Sequence, residues 1–147
     1  MKVAVSACLT GINCKYNGKN NKQDELCQWL AHHSYITVCP EVTGGLPTPR
    51  VASEIVGDRV INKAQVDVTK EFIEGAKVEL ENVLKEEVDC VILQPRSPSC
   101  GKGEIYDGSF QGKLVFGDGI FVQMLKKHGI SVYTCEEFVE TYIRNQK

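Results

Sequence analysis

Residues 69–93 read TKEFIEGAKVELENVLKEEVDCVIL and contain the two elements that decide the fold. In the first part, Thr69–Glu86, apolar side chains recur at the spacing of one helix face, at Phe72, Ile73, Ala76, Leu80, Val83 and Leu84. The second part, Asp89–Leu93, is a short run of apolar and β-branched residues that is typical of a buried strand. A long amphipathic helix that leads into a buried strand indicates a layered α/β protein.

The same alternation continues on both sides of this stretch. Further buried strands are predicted at Lys2–Ser6, Tyr35–Val38 and Ile130–Tyr133. Further helices are predicted at Gln23–Ala31, Ile120–Lys127 and Glu136–Arg144. Because strands and helices alternate, we predict an α/β fold, a Rossmann-like three-layer sandwich with a mainly parallel sheet covered on both faces. Two segments rich in glycine, proline and polar residues interrupt the alternation, and functional loops or small hairpins are expected there, at 44–65 and 101–119.

Length, composition and charge limit the class of protein. The 147 residues are the size of one domain, predicted to span residues 1–147, and the 42% hydrophobic and 24% charged residues are typical of a globular protein. No apolar run is long enough for a bilayer, and Met1–Ser6 passes into a strand without the apolar segment of an export signal, so we expect a cytoplasmic protein without membrane association. The net charge of −2 gives no basis for bulk nucleic-acid binding and favours a small substrate.

Four of the seven cysteines follow predicted strands. Cys8 and Cys14 lie in the loop after the first strand, Cys39 directly follows the second, and Cys100 lies in the loop after the third. Ligands of open α/β sheets bind beyond the carboxyl ends of the strands, so we predict a metal site there. In a reducing compartment, metal binding or catalysis is a better explanation for cysteines than disulfides. The other three are predicted to be small buried structural side chains: Cys27, Cys90 and Cys135.

The residue types favour iron and sulfide over zinc at this site. The sequence has no CxxC pair, which zinc ribbons normally contain. Thiolates without an evident histidine partner suit an iron–sulfur cluster, although the spacing is not that of a ferredoxin. The three histidines lie at predicted helix ends, where they are expected to stabilise the helix dipole: His32, His33 and His128.

Four polar residues in the same loops are candidates for catalysis and substrate binding. Glu41, in a rigid loop with glycine and proline after the second strand, is a candidate general acid or base. Arg50 either binds an anion or carbonyl oxygen or pairs with Glu41 or Glu54. Ser97 and Ser99 are either turn residues or hydrogen-bond donors to a substrate.

Three blocks of this sequence resemble the thiouracil desulfurase family. They are CLTGINCKYNG at positions 8–18, CPEVTGGLPTPR at positions 39–50 and SPSCG at positions 97–101. The resemblance extends from end to end of the chain, and blocks of this length in this order are specific. Lys15 and Asn17 stand where arginine and aspartate are expected, which leaves the contacts of those side chains open, but no cysteine is replaced.

The resemblance implies a [4Fe–4S] cluster held by three cysteines, with one iron open to the sulfur of a thiolated pyrimidine. The best choice of ligands is Cys8, Cys14 and Cys100. Cys39 either replaces one of these three or faces the substrate beside the cluster. The cluster is expected to come from the iron–sulfur assembly machinery of the host.

The implied reaction is a hydrolysis that gives uracil and sulfide without net electron transfer. Its predicted catalytic residues are Glu41 as general base and proton shuttle, Ser97 as a hydrogen-bond donor, and Cys39. The predicted substrate-binding residues are Ser99 and Arg50. Candidate substrates are 2-thiouracil, 4-thiouracil, a thionucleoside and thiolated RNA. The alternatives are a carrier of clusters or sulfide without hydrolytic activity, and a thiol enzyme or zinc protein without iron.

Overall fold

The computed structural model describes residues 1–146, so that Lys147, the last residue of the predicted domain, lies outside the described residues. The strands are β1 Lys2–Ser6, β2 Ser34–Val38, β3 Ser53–Val56, β4 Arg59–Asn62, β5 Cys90–Leu93, β6 Glu104–Tyr106, β7 Leu114–Phe116 and β8 Val132–Thr134. The α-helices are α1 Asp24–Leu30, α2 Pro40–Thr43, α3 Thr69–Lys85, α4 Ile120–Lys127 and α5 Cys135–Phe138. Among the described residues, none of the helices has the length and apolar character needed to cross a bilayer.

Four parallel strands form the central sheet in the order β2–β1–β5–β8. Val3 of β1 pairs with Tyr35 on one side and Cys90 on the other, and Val91 of β5 pairs with Val132. Parallel neighbours require crossover connections, which here contain the helices. The predicted α/β fold with a mainly parallel sheet is confirmed.

Helices cover both faces of this sheet. Val3 and Val5 of β1 pack in one buried cluster with apolar side chains of α1 and α5. Ala4, between them, belongs to a second buried cluster with α3 and α4. Because successive side chains of a strand point to opposite faces, the two clusters lie on opposite sides of the sheet and define three layers.

The helix predicted at Glu136–Arg144 differs in the structure. The α-helix covers only Cys135–Phe138, and the chain continues as a π-helical turn at Val139–Ile143. Its start is fixed by a capping box, in which the Thr134 hydroxyl accepts from the Glu137 N–H and the Glu137 carboxylate from the Thr134 N–H. The prediction of one continuous α-helix was wrong in extent, because the spacing of apolar residues does not distinguish an α turn from a π turn.

Each of the two irregular segments contains an antiparallel hairpin, which confirms the prediction of small hairpins. β3 pairs with β4 within residues 44–65, and β6 pairs with β7 within residues 101–119. Ile105 of β6 also forms a bridge with Arg96, just beyond the end of β5. The second hairpin is therefore attached at the carboxyl edge of the central sheet.

Candidate active site

The loops that follow β1, β2 and β5 line a cavity of about 510 Å³ at the carboxyl edge of the sheet. A volume in this range suits a small ligand. The four cysteines that follow strands all line it: Cys8, Cys14, Cys39 and Cys100. So do the four polar candidates: Glu41, Arg50, Ser97 and Ser99. The fold brings together all the residues that the sequence analysis assigned to the site.

The loop after β1 carries Cys8 and Cys14. Cys8 lies in a 3₁₀ turn, Ala7–Thr10, which ends at Gly11 with a φ of +101°. That left-handed conformation favours glycine and reverses the chain direction. The Cys8 and Cys14 side chains are both buried, and Cys8 Sγ lies 3.9 Å from Oε1 of Gln94. The turn therefore allows both thiols of this loop to reach the cavity.

The position of Cys39, immediately before α2, depends on the packing of α2 against α3. Gly44 and Gly75 let the two helix backbones touch, since a Cβ on Gly75 would lie 2.8 Å from the Gly44 nitrogen. Further along α3, the buried carboxylate of Glu79 accepts a hydrogen bond from the Cys39 N–H, with 2.6 Å between N and Oε2. Helix α3 thus holds the backbone of Cys39 in place.

Cys100 lies in a turn that is supported by the start of α4. Ser97 Oγ accepts a hydrogen bond from the Cys100 N–H at 2.8 Å, and the Ser99 carbonyl accepts one from the Phe121 N–H at 3.0 Å. Gly119, before α4, has no room for a side chain, because a Cβ there would lie 2.5 Å from the Ser99 carbonyl oxygen. The turn and α4 pack backbone to backbone, which fixes the two serines and the thiol relative to one another.

A hydrogen-bonded network joins Glu41 to the other polar candidates. Its Oε1 accepts from Nε of Arg50 at 3.1 Å, and its Oε2 accepts from the Ser99 hydroxyl at 2.8 Å. The hydroxyl oxygens of Ser99 and Ser97 lie 3.2 Å apart. The Arg50 and Glu41 side chains are only 7% and 15% exposed, so solvent screens this ion pair weakly. The network fixes the orientation of the Glu41 carboxylate at the cavity wall.

Of the alternatives for Arg50, the structure contains the ion pair with Glu41, while Glu54 accepts hydrogen bonds from backbone groups elsewhere. The Arg50 Nη2 group also donates to the carbonyl of Cys14 at 3.0 Å, and Nη1 donates to the carbonyl of Pro47 at 3.2 Å. Arg50 therefore ties the loop after β1 to the segment after α2. Its contact with a substrate stays a prediction.

The four cavity thiols are free, and three of them have raised pKa values. The hydrogen bond with Cys39 lowers the pKa of Cys14, but the hydrogen bond with Cys8 and burial outweigh it and raise that pKa to about 11. The hydrogen bond with Cys14 and burial raise the pKa of Cys39, and burial raises the pKa of Cys100 to about 12. These three thiols are protonated at neutral pH, so metal binding must displace their protons.

The donor set fits an iron–sulfur cluster. Thiolates are the soft ligands that such clusters use. Among residues 1–146, no three His, Cys, Asp or Glu side chains are grouped closely enough to hold a single metal ion. A cluster distributes its cysteine ligands over several irons, which suits thiols that reach one cavity from three separate loops.

The remaining cysteines and two of the histidines have the structural positions expected from the sequence. Cys90 and Cys135 are buried, Cys27 Sγ donates to a backbone carbonyl at 3.5 Å, and none of the three lines the cavity. His33 Nδ1 lies 2.8 Å and His128 Nδ1 3.0 Å from a backbone carbonyl four residues earlier in the chain. These side chains satisfy local backbone groups or fill the core.

Three further residues contribute to the site and were not predicted as members of it. Glu79 lies on the buried face of α3 between Ala76 and Leu80, and an acid on an apolar helix face is a signal that could have identified it. Glu54 and Phe110 line the cavity from the two hairpins. Nothing in their local sequence indicates this, because the hairpins reach the cavity only in the folded protein.

Comparisons with known proteins agree with this geometry. A family model described as 2-thiouracil desulfurase matches residues 3–137. The chain is 34% identical over 145 residues to the uncharacterized protein YbbK of Bacillus subtilis (strain 168), covering 92% of this chain and 96% of that protein. A solved structure named as the [4Fe-4S]-dependent thiouracil desulfidase TudS is similar with a TM-score of 0.90 and 37% identity, over 99% of this chain and 97% of that one. The resemblance seen in the three sequence blocks is confirmed, and the chain belongs to the 2-thiouracil desulfurase family.

Proposed function

We propose that this protein is a [4Fe–4S]-dependent desulfurase that replaces the sulfur of a thiolated pyrimidine, of the 2- or 4-thiouracil type, with oxygen from water. The products are uracil and sulfide. The observation that carries the proposal is that Glu41 and its hydrogen-bonded partners line the same cavity as four free cysteines. The likeness to a structure named as a [4Fe-4S]-dependent thiouracil desulfidase supports it.

Cys8, Cys14 and Cys100 are the residues that would hold the cluster. Their side chains are buried, whereas that of Cys39 is half-buried. When bound, a cluster with one iron lacking a cysteine ligand supplies a Lewis acid for the soft sulfur of the thiocarbonyl group. In this arrangement Cys39 is left to face the substrate, with its backbone held by Glu79.

Glu41 is suited to move protons. Each of its carboxylate oxygens accepts one hydrogen bond from the protein and has a further lone pair for a water molecule. As general base it takes a proton from the attacking water and passes a proton to the ring nitrogen or to the departing sulfide. Ser97, linked to Glu41 through Ser99, is placed to donate a hydrogen bond to the oxygen on which charge develops. Arg50 and Ser99 keep the carboxylate oriented while they line the substrate space.

The reaction exchanges atoms without exchanging electrons. The oxygen of water forms a bond with the ring carbon, and the bond between that carbon and sulfur breaks. The two protons of water are shared between the ring nitrogen and the sulfide, and the products together contain both. The conversion is complete without an electron donor or acceptor.

We infer a cytoplasmic location, because free cysteines persist in reducing compartments and all seven are unpaired. The iron–sulfur assembly machinery of the host would supply the cluster there. The net charge of −2 and the size of the cavity favour a small thiolated pyrimidine over bulk nucleic acid.

Anaerobic reconstitution with iron and sulfide, followed by an assay of uracil and sulfide released from 2-thiouracil and 4-thiouracil, tests the proposal. Glu41→Gln keeps the shape of the side chain, so it should retain the cluster absorbance but lose about 10²- to 10⁴-fold in turnover. Glu74→Gln, at an exposed position of α3, is the matched control and should keep wild-type turnover. Full turnover by Glu41→Gln, or a bound cluster without sulfide release from either base, would contradict the proposed reaction.

A further inference from the structure

The hairpin formed by β6 and β7 contributes to the cavity wall, although it carries none of the cysteines. Its residues Tyr106, Phe110 and Gly112 line the cavity together with Glu54 of the first hairpin. The mechanism above uses none of these four residues. Their place in the wall points to the recognition of whatever occupies the cavity, separately from the residues that act on it.

Glu54 fixes this hairpin through its carboxylate. The residue is buried, with 8% of its surface exposed, and its Oε1 accepts hydrogen bonds from the N–H groups of Gly108 at 2.9 Å and Phe110 at 3.2 Å. Within residues 1–146 no ion pair joins Glu54 to a lysine, arginine or histidine. A buried carboxylate is unfavourable unless it is hydrogen-bonded, so these two amides are the groups that stabilise it.

The backbone of the hairpin loop is held in conformations that side chains disfavour. Phe110 has a φ of +58°, which bulky residues rarely adopt. Gly108 has a φ of +94°, and a Cβ there would lie 2.8 Å from the carbonyl oxygen of Ile55, so only glycine fits. Strained positions persist where the surrounding structure over-determines them, and they cluster at ligand sites.

Phe116 provides a contrast within the same hairpin. Phe116 is 97% exposed and does not line the cavity, whereas Phe110 is half-buried at the cavity wall. An aromatic side chain held at the wall of a cavity offers a flat apolar face, against which a heterocyclic ring can stack.

We propose that Phe110, positioned by Glu54, is the stacking surface for the planar ring of the substrate and makes the site selective for heterocyclic thiocarbonyl compounds. The inference rests on the proposed function for the class of substrate and adds the residue that recognises its ring. Phe110 contacts the ring, and Glu54 acts on the ring only through the loop, as a positioning residue.

Calorimetric titration of uracil and 2-thiouracil into the reconstituted protein, with steady-state kinetics on the same preparations, tests this role. Phe110→Ala should raise the Kd for both ring compounds and the KM for 2-thiouracil roughly tenfold, with a smaller change in kcat. Phe110→Trp retains a flat aromatic face and should restore binding. Phe116→Ala removes an exposed phenyl ring from the same hairpin and should leave both constants at their wild-type values.

A pair of variants tests the positioning role of Glu54. Glu54→Ala leaves the Gly108 and Phe110 amides without their acceptor, so it should reproduce the rise in KM of Phe110→Ala. Glu54→Gln keeps an acceptor oxygen at the same place and should restore most of the affinity. A loss of affinity that is equal in Glu54→Gln and Glu54→Ala would overturn the role of the hydrogen bonds.

The titration separates this inference from the proposed reaction. Equal uracil affinity in the wild type and Phe110→Ala would overturn the stacking role, and so would a wild type that binds neither ring compound. Binding of uracil that depends on Phe110, in a protein without turnover, would support the stacking role while overturning the proposed reaction.

Discussion

The close crossing of α2 and α3 predicts that Gly75→Ala damages both stability and activity. A Cβ on Gly75 would lie 2.8 Å from the nitrogen of Gly44 and closer still to the carbonyl oxygen of Pro40. Real Cβ atoms essentially never come within 3.0 Å of such atoms, so α2 must move away from α3 by more than about 1 Å.

The size of the effect follows from two opposing contributions. In an exposed helix, replacing glycine with alanine stabilises the helix by about 1 kcal/mol. Overpacking costs about 1–3 kcal/mol, and we expect the upper end because the clash involves backbone rather than a flexible side chain. The net loss of about 2 kcal/mol corresponds to a fall in Tm of about 4–8 °C for a chain of this size.

The same displacement should reach the chemistry, because Glu41 lies on α2. The hydrogen bond between the Ser99 hydroxyl and Glu41 is 2.8 Å long and would not survive a lengthening of about 1 Å. A misplacement of this size typically costs about 10²-fold in rate, so the turnover of Gly75→Ala should fall by that factor.

Urea unfolding and thermal denaturation of the anaerobically reconstituted variant measure the change in stability, and sulfide release from thiouracil measures the displacement of Glu41. Lys77→Ala, at an exposed position two residues further along α3, is the control and should stay near the wild type in both assays. A Gly75→Ala protein as stable as Lys77→Ala, with full turnover, would refute the idea that backbone contact between α2 and α3 positions Glu41.

Two further predictions concern carboxylates outside the catalytic network. Glu79→Ala leaves the Cys39 N–H without its acceptor and should lower the free energy of unfolding by about 1–3 kcal/mol, whereas Glu79→Gln keeps an acceptor and should lose less than half as much; equal losses in urea unfolding would contradict the hydrogen bond. The hydroxyl and amide of Thr69, together with Arg59, lower the pKa of Asp67 from 3.8 to about 2. Because the folded-state pKa is depressed, the stability that Asp67 contributes is present above about pH 4 and lost as the pH falls towards 2, so Asp67→Asn should flatten that part of the Tm profile against pH, and an unchanged profile would count against it.

The fold could be predicted from local patterns because the period of apolar residues is a property of neighbouring positions. Helix α3 at Thr69–Lys85 and strand β5 at Cys90–Leu93 each lie within one residue of the predicted ranges. The segment Glu136–Arg144 was mispredicted because its apolar spacing suits a π turn as well as an α turn.

The convergence of the cysteines was also predictable, since parallel strands bring their carboxyl ends to one edge of the sheet. The sequence left open whether Arg50 pairs with Glu41 or Glu54, and the structure contains the pair with Glu41. That choice depends on the path of the chain after α2, where Arg50 also binds the carbonyl of Cys14. Local sequence does not determine such a path.

The sequence by itself determined the parallel α/β sheet, the edge at which the thiols meet and the family to which the chain belongs. Only the tertiary structure decided which distant groups hold those residues in place. The Cys39 amide binds Glu79 at a separation of 40 residues, Gly108 binds Glu54 at 54, and Ser99 binds Glu41 at 58. Such hydrogen bonds form between elements whose approach is set by core packing and by backbone contact at glycines, and these are properties of the folded chain and not of any one segment.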